Sequence, residues 1–454
     1  MLYRKSLNLF AFLLLISLIM PLSVAKGQLN NTDTIALTVE SAKELAIEQN
    51  PTIRASKLAT ELAGYKLDES RGNLLPHFNV NGTFNKNIIR PSMYLPFMEE
   101  MGQDPYVEVG SEYNYRASLA GSMPLYSPAL YANISADRKE IELSEEEYRS
   151  SKIDLAYEVQ QAYFNALLTK ESKNVIKKSY KNAIENFQFT TKMYSQGMVS
   201  EYDKIRAEVE TENLKPEVTE LKNAYDMAVS RVKTIVGIDE DQPVKLEGDL
   251  LEATETYIAQ FQIVEPESQL AKNPQIREMS LNKDLIKKQS KAVRATALPS
   301  VNAMSTFDYQ TDADDLNFSD YHWVESFSAG LQITIPIFQG FTVKNRAKQM
   351  DIAVKQLGLQ KNYLEDNLRM QINNIIKRFD VAVENASKAE KNVALAERGH
   401  EIANARYKSG QGNLLEVNDS EVALTQARFN LIQAKYDILM AIIEYDKFIG
   451  KEFH

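Results

Sequence analysis

Tyr194-Ser195-Gln196-Gly197 ends a run that begins at Ala129 and holds neither proline nor glycine. Tyr407-Lys408-Ser409-Gly410, 213 residues later, ends a second run that is proline-free from Thr342. Some 65 residues in a helix, at about 1.5 Å each, make a rod on the order of 100 Å long. Each run stops on a glycine where a left-handed cap reverses the chain. A returning helix then leads to Gly237 or to Gly450. In the first, Ile205, Val209, Leu214, Val218, Leu221, Tyr225, Val232 and Ile235 form an amphipathic, coiled-coil-like stripe. Pro216 is expected to kink that helix or to begin a new segment.

The correspondence extends upstream. Asn50-Pro51 matches Asn273-Pro274, Leu75-Pro76 matches Leu298-Pro299, and Pro124-Leu125-Tyr126 matches Pro336-Ile337-Phe338. The chain therefore reads as an internal two-fold repeat, each copy a short helix, two strands, a very long helix and a returning helix. The first copy spans 28–237, with strands at about 76–90 and 112–126 and helices at about 129–194 and 199–236. The second spans 265–450, with strands at about 299–311 and 323–338 and helices at about 342–407 and 413–449. A linker, 238–264, joins them, and 451–454 is a tail.

The four strands alternate. Phe78, Val80 and Phe84 oppose Asn79, Asn81, Thr83 and Asn85; Tyr113, Tyr115, Ala117 and Leu119 oppose Asn114, Arg116 and Ser118. Val301, Ala303, Phe307 and Tyr309 oppose Asn302, Thr306, Asp308 and Gln310; Phe327, Ala329, Leu331 and Ile333 oppose Ser326, Ser328, Gln332 and Thr334. Period two gives each strand one apolar and one polar face. Each is about the 9–11 residues that cross a bilayer at a tilt, with tyrosines near the ends. A soluble sheet packed on a helix alternates in the same way. Polar faces of Asn, Ser, Thr and Gln, rather than salt-bridging charges, favour a water-filled lumen.

At the N-terminus, Arg4 and Lys5 precede an apolar run from Leu9 to Met20, then Pro21 and Ser23-Val24-Ala25. Residues 1–27 read as a secretory signal peptide. The absence of cysteine excludes disulfides, thiol catalysis and lipid attachment through cysteine. A formal net charge of −10 argues against a nucleic-acid partner. His77, His322, His400 and His454 lack metal-ligand spacing and read as surface histidines, so neither metal nor cofactor is expected. No phosphate loop, nucleophile elbow or catalytic carboxylate pair is recognisable, and the chain is not expected to be an enzyme. Trp323 is expected to anchor at a membrane interface. The loop from Arg90 to Gly110 reads as extracellular, either capping a pore or mobile.

Two hairpins cannot close a barrel, and lipid does not tolerate an open sheet edge, so several copies must share one. The edge argument does not fix the number. The ordered set of junctions, and the segment from Tyr407 to Leu424, resemble the TolC-like outer-membrane efflux proteins over essentially the whole mature chain. The resemblance implies a mixed α and β membrane protein: a homotrimer with a 12-stranded outer-membrane β-barrel, four strands per chain, continued by a 12-helix periplasmic α-barrel. It implies an exit duct for efflux or type I secretion, working with a periplasmic adaptor (membrane fusion protein) and an inner-membrane transporter.

It also implies a gate at the periplasmic tip. Glu416 and Asp419, three apart on one helix face, match positions that form acidic rings at the aperture. In isolation a Glu-x-x-Asp is an ordinary solvated face. Tyr407 and Asp203 match a hydrogen-bonded latch of the closed state, with Tyr194, Gly197 and Gly410 at the tip turns. Where the best-known member has a latch arginine, this chain has Gly412, with Lys204 or Lys408 as substitutes. Two other classes compete: a periplasmic coiled-coil adaptor or structural rod, which leaves the strands unexplained, and an envelope hydrolase, which lacks a catalytic constellation.

Overall fold

A computed structural model describes residues 34–263 and 270–452. The signal-peptide assignment, the end of the linker and His454 lie outside the described residues. The chain opens with strand β1 (Ile35–Leu37), then helices α1 (Val39–Gln49) and α2 (Pro51–Gly72). Strand β2 (His77–Lys86) leads into a loop carrying β3 (Ser92–Tyr94), α3 (Pro96–Glu100) and β4 (Tyr106–Glu108), and β5 (Tyr113–Tyr126) returns. Helices α4 (Pro128–Ser195) and α5 (Glu201–Val236) form the first shaft hairpin. Strand β6 (Val244–Leu246), α6 (Leu250–Gln260) and α7 (Pro274–Ala295) follow. Strands β7 (Ser300–Ala313) and β8 (Val324–Thr334) then precede the second shaft hairpin, α8 (Thr342–Lys408) and α9 (Leu414–Phe448).

Local chemistry sets the boundaries. Asn50 and Asn273 each cap a helix whose first residue is proline, which has no N–H to leave unpaired there. α5 passes through Pro216 without ending, so no new segment begins there. The ring removes the bond to the Glu212 carbonyl, and both residues are exposed, where solvent satisfies that oxygen.

The four long strands form one antiparallel sheet in the order β2-β5-β7-β8, so each half of the chain contributes one central and one edge strand. Register puts Val80, Leu119, Phe307 and Phe327 side by side on one face. The next rung, Asn81, Ser118, Asp308 and Ser326, lies on the other. On that polar face the Arg116 guanidinium donates to Gln310 at 2.9 Å, and Asn114 donates to Asp312 at 2.5 Å. The apolar face is bare, with Val80 77% and Phe327 71% exposed. Trp323 stacks on Tyr309 at 4.6 Å between ring centres. The 90–110 loop has structure of its own: β3 pairs with β4, and Arg90 reaches Asp314 beyond β7 at 3.1 Å.

The main core lies where the shaft passes through a collar. Strands β1 and β6 pair in parallel there, and Val159, Tyr163, Phe164 and Leu167 of α4 pack with Ala42 and Ala46 of α1 and with Val232 and Val236 of α5. Tyr163 is buried, and its hydroxyl lies between the carbonyls of Leu37 and Glu247, donating to both. Lys435 of α9 joins Glu255 of α6 at 2.5 Å and Glu390 of α8 at 2.7 Å. Burial alone would lower the Lys435 ammonium, but bonds to these two carboxylates outweigh it and raise it. Among the described residues no helix is long and apolar enough to cross a membrane.

Replacing Tyr163 by Phe keeps the packing but removes the hydroxyl that ties β1 to the end of β6; the Leu37 carbonyl keeps the Glu247 N–H at 2.9 Å, and the Glu247 carbonyl loses the phenol. We expect a loss of about 0.5–1.5 kcal/mol, read as a lower melting temperature with earlier protease cleavage around β1 and β6.

Candidate functional site

The far end of the shaft brings all four long helices together. α4 closes on Gln196; Gly197 follows at φ 71°, and the Met198 N–H returns to the Met193 carbonyl at 3.0 Å. α8 closes in the same way, with Gly410 at φ 75° and the Gln411 N–H on the Arg406 carbonyl at 2.9 Å. Both are left-handed caps that turn the chain within a few residues. Tyr194 is exposed, and Lys204 lies over its ring at 5.6 Å.

Tyr407 is buried with Ala207, Leu414 and Val417 and meets Phe189 edge-on at 5.8 Å. Its hydroxyl pairs with the Thr190 hydroxyl of α4 at 2.8 Å, not with Asp203. The Asp203 carboxylate instead accepts from the Ser200 hydroxyl at 2.7 Å and from the Ser200 N–H at 3.2 Å. It thereby completes a capping box at the start of α5, where the free N–H groups of a helix attract an acidic side chain. Burial raises the Tyr407 phenol, the Thr190 bond opposes that rise, and the nearby Asp203 charge adds to it. The Asp203 charge thus only disfavours ionisation of the phenol, and no bond between the two is present.

The two aperture candidates differ. Asn413 caps α9 by accepting from the Glu416 N–H at 2.9 Å, and its own amide donates to the Glu416 carboxylate at 3.2 Å. Arg406 approaches the same carboxylate at 3.9 Å and donates to the Gln411 carbonyl at 3.2 Å. Glu416 is drawn back into the cap, whereas Asp419 is exposed and bonds to none of the described residues. Of the two candidate lysines, Lys408 is exposed at the tip with no bond to the described residues, and Lys204 lies on Tyr194. Arg406, which the sequence reading missed, is the cation that reaches Glu416. At Gly412 a side chain would crowd the Arg406 Cβ and the Tyr407 backbone at 3.1 Å.

His77 and His322 are exposed, but His400 is not a surface histidine. Its side chain is 12% exposed, and Nε2 lies 3.2 Å from the Glu421 carboxylate, itself 11% exposed.

Comparison with known proteins decides what such a molecule is. The family model for outer membrane efflux proteins matches twice, over residues 43–238 and 266–451. The chain belongs to the outer membrane efflux protein family. Over 422 residues it is 22% identical to the alkaline protease secretion protein of Pseudomonas aeruginosa, covering 90% of this chain and 83% of that one. It is 20% identical to the outer membrane protein TolC of Escherichia coli, covering 88% and 80%. The solved outer-membrane channel OprN shares the fold at a TM-score of 0.73 and 16% identity, covering 91% and 90%. As an outer membrane efflux protein, the chain is an export channel of the outer membrane whose helices extend into the periplasm.

Partnership at the tip can be tested by hydrogen exchange of the tip amides. Tyr407→Phe and Thr190→Val should each lower the local opening energy by about 0.5–1.5 kcal/mol, and together by little more than either alone. Asp203→Asn should add independently to Tyr407→Phe. Coupling to Asp203 with none to Thr190 would restore the Tyr407–Asp203 latch.

Proposed function

We propose that three copies share one barrel and one periplasmic cylinder, forming a passive exit duct that closes at the shaft tips. The observation that carries this reading is the sheet: one apolar face, one polar face and two unpaired edge strands, β2 and β8. In lipid such edges must be paired, and β2 of one copy against β8 of the next leaves none. The apolar face then meets lipid, and the rungs carrying Asn81, Arg116, Asp308 and Gln310 meet water. Surface area agrees. The chain exposes 29752 Å², whereas a compact monomer of its mass exposes roughly 17,000 Å². A free-standing periplasmic rod has no use for such a sheet.

The duct does no chemistry of its own. A periplasmic adaptor and an inner-membrane transporter supply the energy, for efflux or for type I secretion, and the cargo is set by them. At the tip, three copies of Glu416 and Asp419 place six carboxylates around a narrow throat, a cation-favouring ring. With Glu416 partly offset by Arg406, Asp419 carries most of that field.

Purified protein in planar bilayers should give small, cation-selective currents blocked by millimolar divalent cation. Glu416→Ala with Asp419→Ala should abolish the block, and Asp419→Ala alone should remove most of it. Block that survives the double substitution would move the constriction away from these residues.

A further inference from the structure

One of the two longest helices is packed on both flanks, the other on one. α4 lies against α5 and α2 of its own half and against α9 and α7 of the other. α8 lies against α9 and α7 of its own half, and packs extensively on neither α5 nor α2. The halves are otherwise jointed alike. The Asn50 amide donates to the Ile235 carbonyl at 2.8 Å, seating α2 on the end of α5. The Asn273 amide donates to the Phe448 carbonyl at 2.8 Å, seating α7 on the end of α9.

The open flank of α8 is apolar. At about 100° per residue, Ile352, Leu359, Tyr363, Met370, Leu395 and Ile402 fall within roughly 40° of one line. All are exposed, Leu359 and Leu395 each at 71%. On the opposite side of the helix, Ile372, Ile375 and Ala386 are buried in the chain's own cores. The α2–α5 stack carries a second bare stripe, with Leu58, Leu62 and Tyr65 on α2 and Tyr202, Ile205 and Val209 on α5. Within one chain neither stripe can cover the other, because α4 and the α7–α9 stack lie between them.

The packing of α4 on the other half supplies a register. There Asn182 meets Glu421 of α9 at 3.1 Å, and Glu146 meets Arg277 of α7 at 3.2 Å. α8 follows α4, and α9 follows α5, by the 213 residues that separate Tyr194 from Tyr407; α7 follows α2 by the 223 that separate Asn50 from Asn273. Carried across, Asn182 becomes Leu395 and Glu421 becomes Glu208, the neighbour of Val209. Glu146 becomes Leu359 and Arg277 becomes Arg54, one turn from Leu58. The two bare stripes thus fall at matching heights. The exposed Lys391 comes level with the exposed Glu212, so the charges flanking them are opposite there.

We infer that the bare flank of α8 docks on the α2–α5 stack of a second copy, Leu395 on Val209, Ile402 on Tyr202 and Leu359 on Leu58. The occupant is a second copy because the chain itself carries the answering surface, at the spacing its own halves use. The two surfaces differ, so the contact runs head to tail and builds a ring when the rotation closes. It joins second half to first, as β8 against β2 would in the sheet. The joint inside the chain is polar, and the joint between copies is apolar, held by burial of hydrocarbon. The inference rests on the proposed shared ring and names the faces by which the shafts meet.

The chain has no cysteine, so only introduced thiols can pair. Val209→Cys with Leu395→Cys should oxidise into a covalent ladder ending at the proposed three. Chains carrying one substitution each, co-expressed, should give covalent pairs, and either kind alone should give none. Val209→Cys with Ile352→Cys, roughly 65 Å up the same stripe, should stay unlinked; linkage there overturns the register. Absence of linkage between positions 209 and 395, in protein whose mass in detergent is that of a ring, overturns the docking and leaves the shared ring standing. A single-chain mass with no linkage overturns both. Leu395 is exposed in the single chain, so Leu395→Asp should fold with native helix content yet raise the fraction of single chains about tenfold. A ring indifferent to Leu395→Asp overturns the docking.

Discussion

A strand at the edge of a sheet carries a row of N–H and C=O groups that must be bonded, and in hydrocarbon no water can do it. The edges of β2 and β8 are therefore the constraint from which the rest of this molecule follows. The apolar rung of Val80, Leu119, Phe307 and Phe327 has no core to enter within the chain. The polar rung beside it, with Arg116 bonded to Gln310, is what a lumen requires. Each chain carries four strands and two long hairpins, so in the proposed ring of three each copy supplies a third of the sheet and a third of the shaft.

The collar adjusts what the edges impose. Tyr163 and Lys435 both hold it, one through a shared hydroxyl proton and the other through two carboxylates. Both sit on shaft helices and reach short elements that lie far away in sequence. Burial disfavours the charge on Lys435, and the two acids restore it. The shaft is thereby braced at the collar, and a second packed cluster around Tyr407 closes its far end.

The elements whose chemistry is local were legible in the sequence. Period-two alternation, proline-free runs and the glycines at Gly197 and Gly410 each report on a few neighbouring residues, and the strands, long helices and reversals follow from them. Legibility failed where partners come from different helices. Tyr407 has Thr190 available across the seam, and Asp203 has the N-terminus of its own helix; a capping box within reach outcompetes a distant phenol. Arg406 was overlooked because its side chain runs past the turn to Glu416. His400 looked like a lone surface histidine because its partner lies 21 residues on, across a hairpin. Pro216 showed the converse, a strong local signal overridden because a single missing bond at an exposed site does not end a helix held by its neighbours.

The sheet order β2-β5-β7-β8 also dictates a sequence of events. Tyr113 faces Ala313, and between them lie the first shaft hairpin, the collar and α7. The central ladder joins strands about 200 residues apart, so it cannot form until nearly everything between them exists. Helices form from contacts close in sequence and early; long-range strand pairing is slow. The shaft should therefore be largely built while the strands are still unpaired, their apolar faces open to the aqueous periplasm. Such a molecule needs escort between crossing one membrane and entering the next, and its most vulnerable state is one in which most of its helix is already in place.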